Sequence, residues 1–245
     1  MKVLIGTSGW SYDDWKGRFY PKGYYSGYKH LPYFSKVFKT VETNSTFYSF
    51  MKEKTLTQWY EKTGKDFLFS LKLNKYFTHT KRLNIDDNVK GLFDNFVNAV
   101  DVLKEKAGPV LVQLPPSLNK DTEVLKKWLS GMPEYNYAFE FRHTSWMDDE
   151  VFQILTDFNS SFVFTQSSKW DSDIVRTNDQ IYARFHGPQE FAMSKYSEDE
   201  IKKYAAIIKS AAQKNDRVFI YFNNAHQAYA IENAKQMLKE FKIEL

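Results

Sequence analysis

Ile181-Tyr182-Ala183-Arg184-Phe185-His186-Gly187 alternates residue by residue between two kinds of side chain. Ile181, Ala183 and Phe185 form an apolar face, and Tyr182, Arg184 and His186 form the opposite one. Residues two apart on a strand share a face, so this segment is a strand with one apolar side and one charged side. A strand that buries its apolar face against helices while aiming arginine and histidine the other way fits the wall of a barrel.

The pattern recurs along the chain. Phe67, Phe69, Leu71 and Leu73 oppose Ser70, Lys72 and Asn74; Tyr137, Phe139 and Phe141 oppose Ala138, Glu140 and Arg142. Val218, Ile220 and Phe222 oppose Phe219, Tyr221 and Asn223. A second strand contributes Glu42 and Asn44 with Thr46, a fourth Gln113, a sixth Thr165 and Ser167, and the first Gly6 and Ser8. The predicted strands are Val3–Ser8, Thr40–Thr46, Phe67–Leu73, Val110–Leu114, Tyr137–Phe141, Phe162–Thr165, Ile181–Phe185 and Val218–Phe222.

Helical patterns separate most of them: Lys54–Lys62, Val89–Glu105, Thr122–Leu129, Asp149–Phe158, Glu198–Gln213 and Gln227–Phe241. In Glu198–Gln213, Ile201, Tyr204, Ile208 and Ala212 recur at three- and four-residue spacing, as a one-sided buried helix requires. Pro32 interrupts the pattern Tyr28–Phe38, so the first helix is the least defined. Strands alternating with helices imply parallel βα units. No glycine-rich phosphate fingerprint follows any strand, which disfavours an open doubly wound sheet. The expectation is an α/β fold, a (β/α)8 TIM barrel forming one domain over residues 1–245.

Length and composition agree. The 245 residues suit one eight-fold barrel, and 42% hydrophobic content can fill its core. The absence of cysteine excludes disulfides, thiolate metal sites and cysteine nucleophiles. No run of 18 apolar residues suggests a membrane span, and Met1–Gly6 lacks a secretory leader pattern, so a cytoplasmic protein is expected. The helices carry no long apolar seam, which makes a monomer the default. A net charge of +4 neither demands nor excludes a nucleic-acid partner.

The inward polar residues crowd the C-terminal halves of the strands, where barrel enzymes build their sites. Charges aimed into a closed barrel are costly unless paired or lining a wet cavity. An internal salt-bridge network, Glu140 with Arg184 and Glu42 with Lys72, is the bland explanation; so many buried charges favour a site instead. Lys72, Arg142 and Arg184 against Glu42 and Glu140 leave one positive charge, and two if His186 is protonated. Arginine forks and a lysine point charge suit phosphate or carboxylate, so the expected ligand is an anionic small molecule or a nucleic acid.

Glu42 or Glu140 is the expected general base and His186 the acid. Lys72, Arg142 and Arg184 would bind the anion, with Ser8, Trp10, Asn44, Tyr48, Gln113, Trp146, Tyr221 and Asn223 completing the lining. Glu42, Glu140 and His186 could hold a divalent metal, but the adjacent cations would repel it, so no metal site is assigned and the cofactor stays unknown. A glycosidase, with Trp10, Trp15, Tyr48 and Trp146 gripping a sugar, is one alternative. A non-catalytic nucleic-acid-binding barrel is the other. It draws on the aromatic and basic loop Gly9–Tyr28 and on Lys75–Arg82, although aromatics on such loops more often pack them down.

Six motifs in order carry a family resemblance: Gly6-Thr7-Ser8-Gly9-Trp10-Ser11-Tyr12, Glu42-Thr43-Asn44-Ser45-Thr46-Phe47-Tyr48, Gln113-Leu114-Pro115-Pro116-Ser117, Glu140-Phe141-Arg142-His143-Thr144-Ser145-Trp146, Arg184-Phe185-His186-Gly187 and Tyr221-Phe222-Asn223-Asn224. Together they resemble the YecE-like proteins, domain of unknown function 72, from near the first residue to the last helix. The resemblance implies a barrel like those of xylose isomerases and apurinic endonucleases of the fourth type, with nucleic-acid binding suggested by that likeness, and no established reaction. The histidine-rich metal constellation of those endonucleases is missing here.

Overall fold

The computed structural model describes residues 1–244. Eight parallel strands, β1 Lys2–Thr7, β2 Thr40–Thr43, β3 Leu68–Lys72, β4 Ala107–Gln113, β5 Tyr137–Glu140, β6 Ser161–Gln166, β7 Gln180–Phe185 and β8 Arg217–Phe222, pair in the order β1-β8-β7-β6-β5-β4-β3-β2. The ring closes between β1 and β2 by a bridge from Ser8 to Glu42 and by the Gly9 N–H donating to the Glu42 carbonyl at 2.7 Å. Gly6 permits that closure, because a Cβ there would stand 2.2 Å from the Thr40 carbonyl oxygen.

Eight α-helices accompany the strands: α1 Gly27–Val37, α2 Ser45–Tyr48, α3 Glu53–Glu61, α4 Asp87–Asp101, α5 Thr122–Gly131, α6 Asp149–Asp157, α7 Glu198–Ala211 and α8 Tyr229–Glu240. α7 starts at a full capping box between Ser197 and Glu200. Asp86, Asp121 and Asp148 cap α4, α5 and α6 by accepting from backbone N–H groups of the first turn. α1 runs through Pro32, because burying His30, Leu31 and Phe34 outweighs one lost backbone hydrogen bond.

Several predicted boundaries move, among them the start of the fourth strand, at Ala107 rather than Val110. The second strand ends at Thr43 rather than Thr46, since the chain turns into α2, where the Thr46 hydroxyl donates to the Lys72 carbonyl at 2.7 Å. The fourth helix ends at Asp101, and Lys104 takes a left-handed φ of 48°. The last helix begins at Tyr229, because Gln227 and Ala228 are left-handed. The crossover from β6 to β7 contains no helix; Ser167, Asp171 and Thr177 hold it by hydrogen bonds to the backbone. Among the described residues, no helix is long and apolar enough to cross a membrane.

The apolar parity of the strands packs outward into a continuous core with the helices, as alternation requires. Inside the barrel the filling is graded. Leu4, Leu111, Ala138, Val163 and Phe219 form an apolar plug. Above it lies a belt of hydroxyls, with Thr40 Oγ1 2.7 Å from the Tyr221 hydroxyl and Ser70 Oγ 2.7 Å from that of Tyr182. Charges come next, toward the C-terminal ends of the strands.

Candidate active site

The charged layer centres on Arg184, which β7 aims across the barrel from a fully buried position. Its Nε and Nη2 donate to the two oxygens of Glu42 at 2.9 and 2.7 Å, a bidentate fork. Its Nη1 donates to Glu140 Oε2. Ser8 Oγ donates to Glu42 Oε1 at 2.6 Å, and the Tyr182 hydroxyl to Glu42 Oε2 at 2.7 Å. Both oxygens of Glu42 therefore accept twice. Arg142 Nε takes the other oxygen of Glu140 at 2.7 Å, and its guanidinium lies 4.3 Å above the Trp170 ring. Of the two pairs named for a purely internal salt-bridge network, Glu140 with Arg184 forms, whereas Glu42 with Lys72 does not, because Arg184 also takes both oxygens of Glu42.

Lys72 is what the pairing leaves over. Its Nζ donates to the neutral amide oxygen Oε1 of Gln113 at 2.5 Å and sits 3.9 Å from the centre of the Phe47 ring. It is 8% exposed and forms no ion pair among the described residues. Burial and then the neighbouring Arg184 push its ammonium down to about 7 from the ordinary lysine value. Burial acts alone to raise Glu140, but Arg142 and Arg184 outweigh it and hold the carboxyl well below the usual range.

His186 is buried, and burial followed by Arg184 drives its imidazole well below the ordinary value, so it is neutral. The extra positive charge foreseen for it does not arise. Its Nδ1 accepts from the Asn223 amide at 3.0 Å, which leaves the proton on Nε2. That Nε2 is buried without a partner and lies 3.9 Å from Glu140 Oε1. A neutral imidazole can donate a hydrogen bond to a ligand and is a weaker acid than an imidazolium. Glu140, held ionised by Arg142 and Arg184, is a weak base suited to positioning, and Glu42 has both oxygens taken up by Arg184, Ser8 and Tyr182.

The other expected lining residues separate into three groups. Trp10 and Asn44 flank a cleft of about 200 Å³ at the ends of β1 and β2, and Trp10 packs edge-on against Trp59. Ser8, Gln113 and Asn223 belong to the buried network itself. Tyr221 is sealed in the hydroxyl belt, and Trp146 lies outside the barrel, stacked on Phe141 with its Nε1 donating to the Leu118 carbonyl at 2.7 Å. Both side chains are buried with their polar atoms already bonded to protein partners. Tyr48 is 69% exposed, packs edge-on against Phe47 and has the Lys75 ammonium over its ring at 5.9 Å. In the first loop Trp15, Phe19 and Tyr20 are buried, so most of its aromatics pack it down.

Trp170, Phe47, Tyr182 and His79 are neighbours of the site that sequence reasoning did not assign to it. Burial, then Lys72 and Arg142, push His79 down to about 4, and its ring packs edge-on against Phe47. Tyr182 and Phe47 had a signal, since one shares the parity of Arg184 and the other sits in the Glu42 motif. Trp170 and His79 had none beyond their place after β6 and β3. No group of three or more His, Asp or Glu side chains is gathered as metal ligands among the described residues.

The family model described as "Protein of unknown function DUF72" matches residues 4–245. A DUF72 family protein of Thermotoga maritima MSB8 superposes with a TM-score of 0.87 at 29% identity, over 99% of this chain and 100% of that one. A DUF72 family protein of Enterococcus faecalis V583 gives a TM-score of 0.84 at 18% identity, over 99% and 96%. SacUVDE aligns over all of both chains at 10% identity with a TM-score of 0.59, a likeness of fold alone. No curated protein matches the sequence.

Proposed function

The chain belongs to the DUF72 family, and we propose that it is an enzyme whose barrel mouth takes a phosphate- or carboxylate-bearing substrate. One observation carries the reading: Lys72 is buried with no carboxylate partner, although two carboxylates share its layer. Glu42 and Glu140 are consumed by Arg184 and Arg142, so the layer keeps one positive charge that a ligand anion would neutralise. Arg142 lies over the Trp170 ring and is the second anchor, since its other nitrogens are not tied to Glu140.

Within this reading Lys72, titrating near neutrality, is the group best matched to proton transfer at physiological pH. His186 supplies a hydrogen bond from Nε2 to a ligand oxygen, and Glu140 orients Arg142 and Arg184. A retaining or inverting glycosidase needs one protonated carboxyl, and Glu140 is held ionised, so sugar hydrolysis is disfavoured.

Thermal unfolding of the purified chain with inorganic phosphate, sugar phosphates, nucleotides, short oligonucleotides and neutral sugars tests the reading. A ligand at 100 times its dissociation constant adds about 2.7 kcal/mol. Stabilisation by a small phosphate-bearing ligand, lost in Lys72→Met and Arg142→Ala, is expected. Stabilisation by neutral sugars alone would overturn it. A salt-sensitive response confined to oligonucleotides would instead identify a nucleic-acid-binding barrel.

A further inference from the structure

We propose that Lys72 is a covalent catalytic residue whose amine condenses with the carbonyl carbon of an anionic aldehyde or ketone to give an imine. The proposal rests on the reading of the barrel mouth as an anion site and adds the reactive group of the substrate.

Three features converge on it. First, a lysine that served only to knit the strands together would pair with a carboxylate, yet both available carboxylates turn to arginine. Lys72 is left with an amide oxygen and an aromatic ring. A buried amine without a counter-ion loses its proton readily, and only the neutral amine is a nucleophile. The groups that bear on it come from every side: Glu42 from β2, Glu140 and Arg142 from β5 and its end, and Arg184 from β7. His79, from the segment after β3, and His186, after β7, complete the surround. Among these the cations and the lack of water prevail, and the ammonium falls to about 7.

Second, the amine stands at the C-terminal end of β3 on the inner face, in the same charged layer as Arg142, whose side chain is 14% exposed. A phosphate or carboxylate on Arg142 would hold a carbonyl compound against Lys72, turning a bimolecular encounter into an intramolecular one. Third, the unpartnered Nε2–H of His186 is a buried donor with nothing to bond, placed in the same charged layer. It suits the oxygen on which negative charge develops as the amine adds.

The step balances without any oxidant or reductant. The amine lone pair forms the C–N bond while the carbonyl π pair moves onto oxygen. One amine proton passes to that oxygen, giving a carbinolamine. The C–O bond then breaks as the hydroxyl takes a second proton from solvent, equal to the one the ammonium released on becoming the neutral amine, and leaves as water, while the nitrogen lone pair completes the C=N bond. The resulting iminium replaces the ammonium, so the charge of the layer is unchanged.

Reductive trapping tests this on the intact chain. The protein is incubated at pH 7 with sodium cyanoborohydride and pyridoxal 5′-phosphate, pyruvate or glyceraldehyde 3-phosphate, with unphosphorylated pyridoxal and acetone as neutral controls. Peptide mass spectrometry then locates the modified lysines. Lys72 should be labelled by the anionic carbonyls about tenfold faster than surface lysines, its larger neutral fraction outweighing its lower intrinsic nucleophilicity. Labelling should be competed by inorganic phosphate, and Lys72→Arg should lose the adduct while the surface lysines are labelled as before. If phosphate stabilises the protein but Lys72 is labelled no faster than surface lysines, the imine proposal fails and the anion site stands. If phosphate neither stabilises nor competes and Lys72 stays unlabelled, both readings fall.

Discussion

Replacing Arg184 with methionine removes the cation shared by two fully buried carboxylates. The side chain makes three charge-assisted hydrogen bonds, two to Glu42 at 2.9 and 2.7 Å and one to Glu140. Deleting one partner of a buried ion pair costs about 3–5 kcal/mol, because the remaining charge stays buried and uncompensated. Here Glu42 loses its only ion pair, while Glu140 keeps Arg142, so about 4–5 kcal/mol is expected. For a chain of this length that corresponds to a fall in Tm of roughly 10–20 °C.

The pH dependence gives the argument its sign. In the native protein Glu140 is depressed below its unfolded value, so its contribution is present above about pH 4.3 and is lost as the pH falls toward the folded value. Without Arg184, burial gains ground against Arg142 and the folded value of Glu140 rises. Acid then relieves part of the variant's penalty, and the stability gap should be larger at pH 7 than at pH 4.5. Urea denaturation at the two pH values measures both quantities. Adding Glu42→Gln and Glu140→Gln to Arg184→Met should recover most of the loss, since a wholly neutral group needs no counter-ions. A single-variant loss below about 1 kcal/mol would refute the reasoning. So would a gap that does not change with pH.

Lys72→Met should be more stable than the natural protein at pH 7. The folded Lys72 value of about 7 lies below the unfolded one, so the natural protein gains stability as pH rises from about 7 toward the ordinary lysine range, and the variant's advantage should shrink over that window in urea melts. Gly6→Ala should cost about 3 kcal/mol or more by driving β1 from β2, read as a lowered denaturation midpoint. Trp146→Phe should lose about 1–2 kcal/mol with its hydrogen bond to the Leu118 carbonyl. It should leave phosphate-induced stabilisation unchanged; loss of that response would return Trp146 to the site.

The chain's own alternation determined most of the architecture. Side-chain direction along a strand depends only on the backbone, so the parity of Ser70 and Lys72, Glu140 and Arg142, and Tyr182, Arg184 and His186 was legible without any knowledge of neighbours. The placement of charge at the C-terminal strand ends followed from the same counting. Boundaries were less legible where side chains bond locally, as when Thr46 turns the chain after β2. What the sequence could not contain was the choice of partners. Glu42 lies as close in parity to Lys72 as to Arg184, and only the curvature of the closed barrel brings the arginine fork of β7 onto the carboxylate of β2. Burial likewise depends on every strand at once, so the neutral His186 and the unpaired Lys72 emerged from tertiary structure. Trp146 shows the same limit: its motif stands beside Arg142, but a short turn after β5 carries the indole to the outer face. Pairing and desolvation are properties of residues far apart in sequence, and they decide which inward charges are structural and which one is left for chemistry.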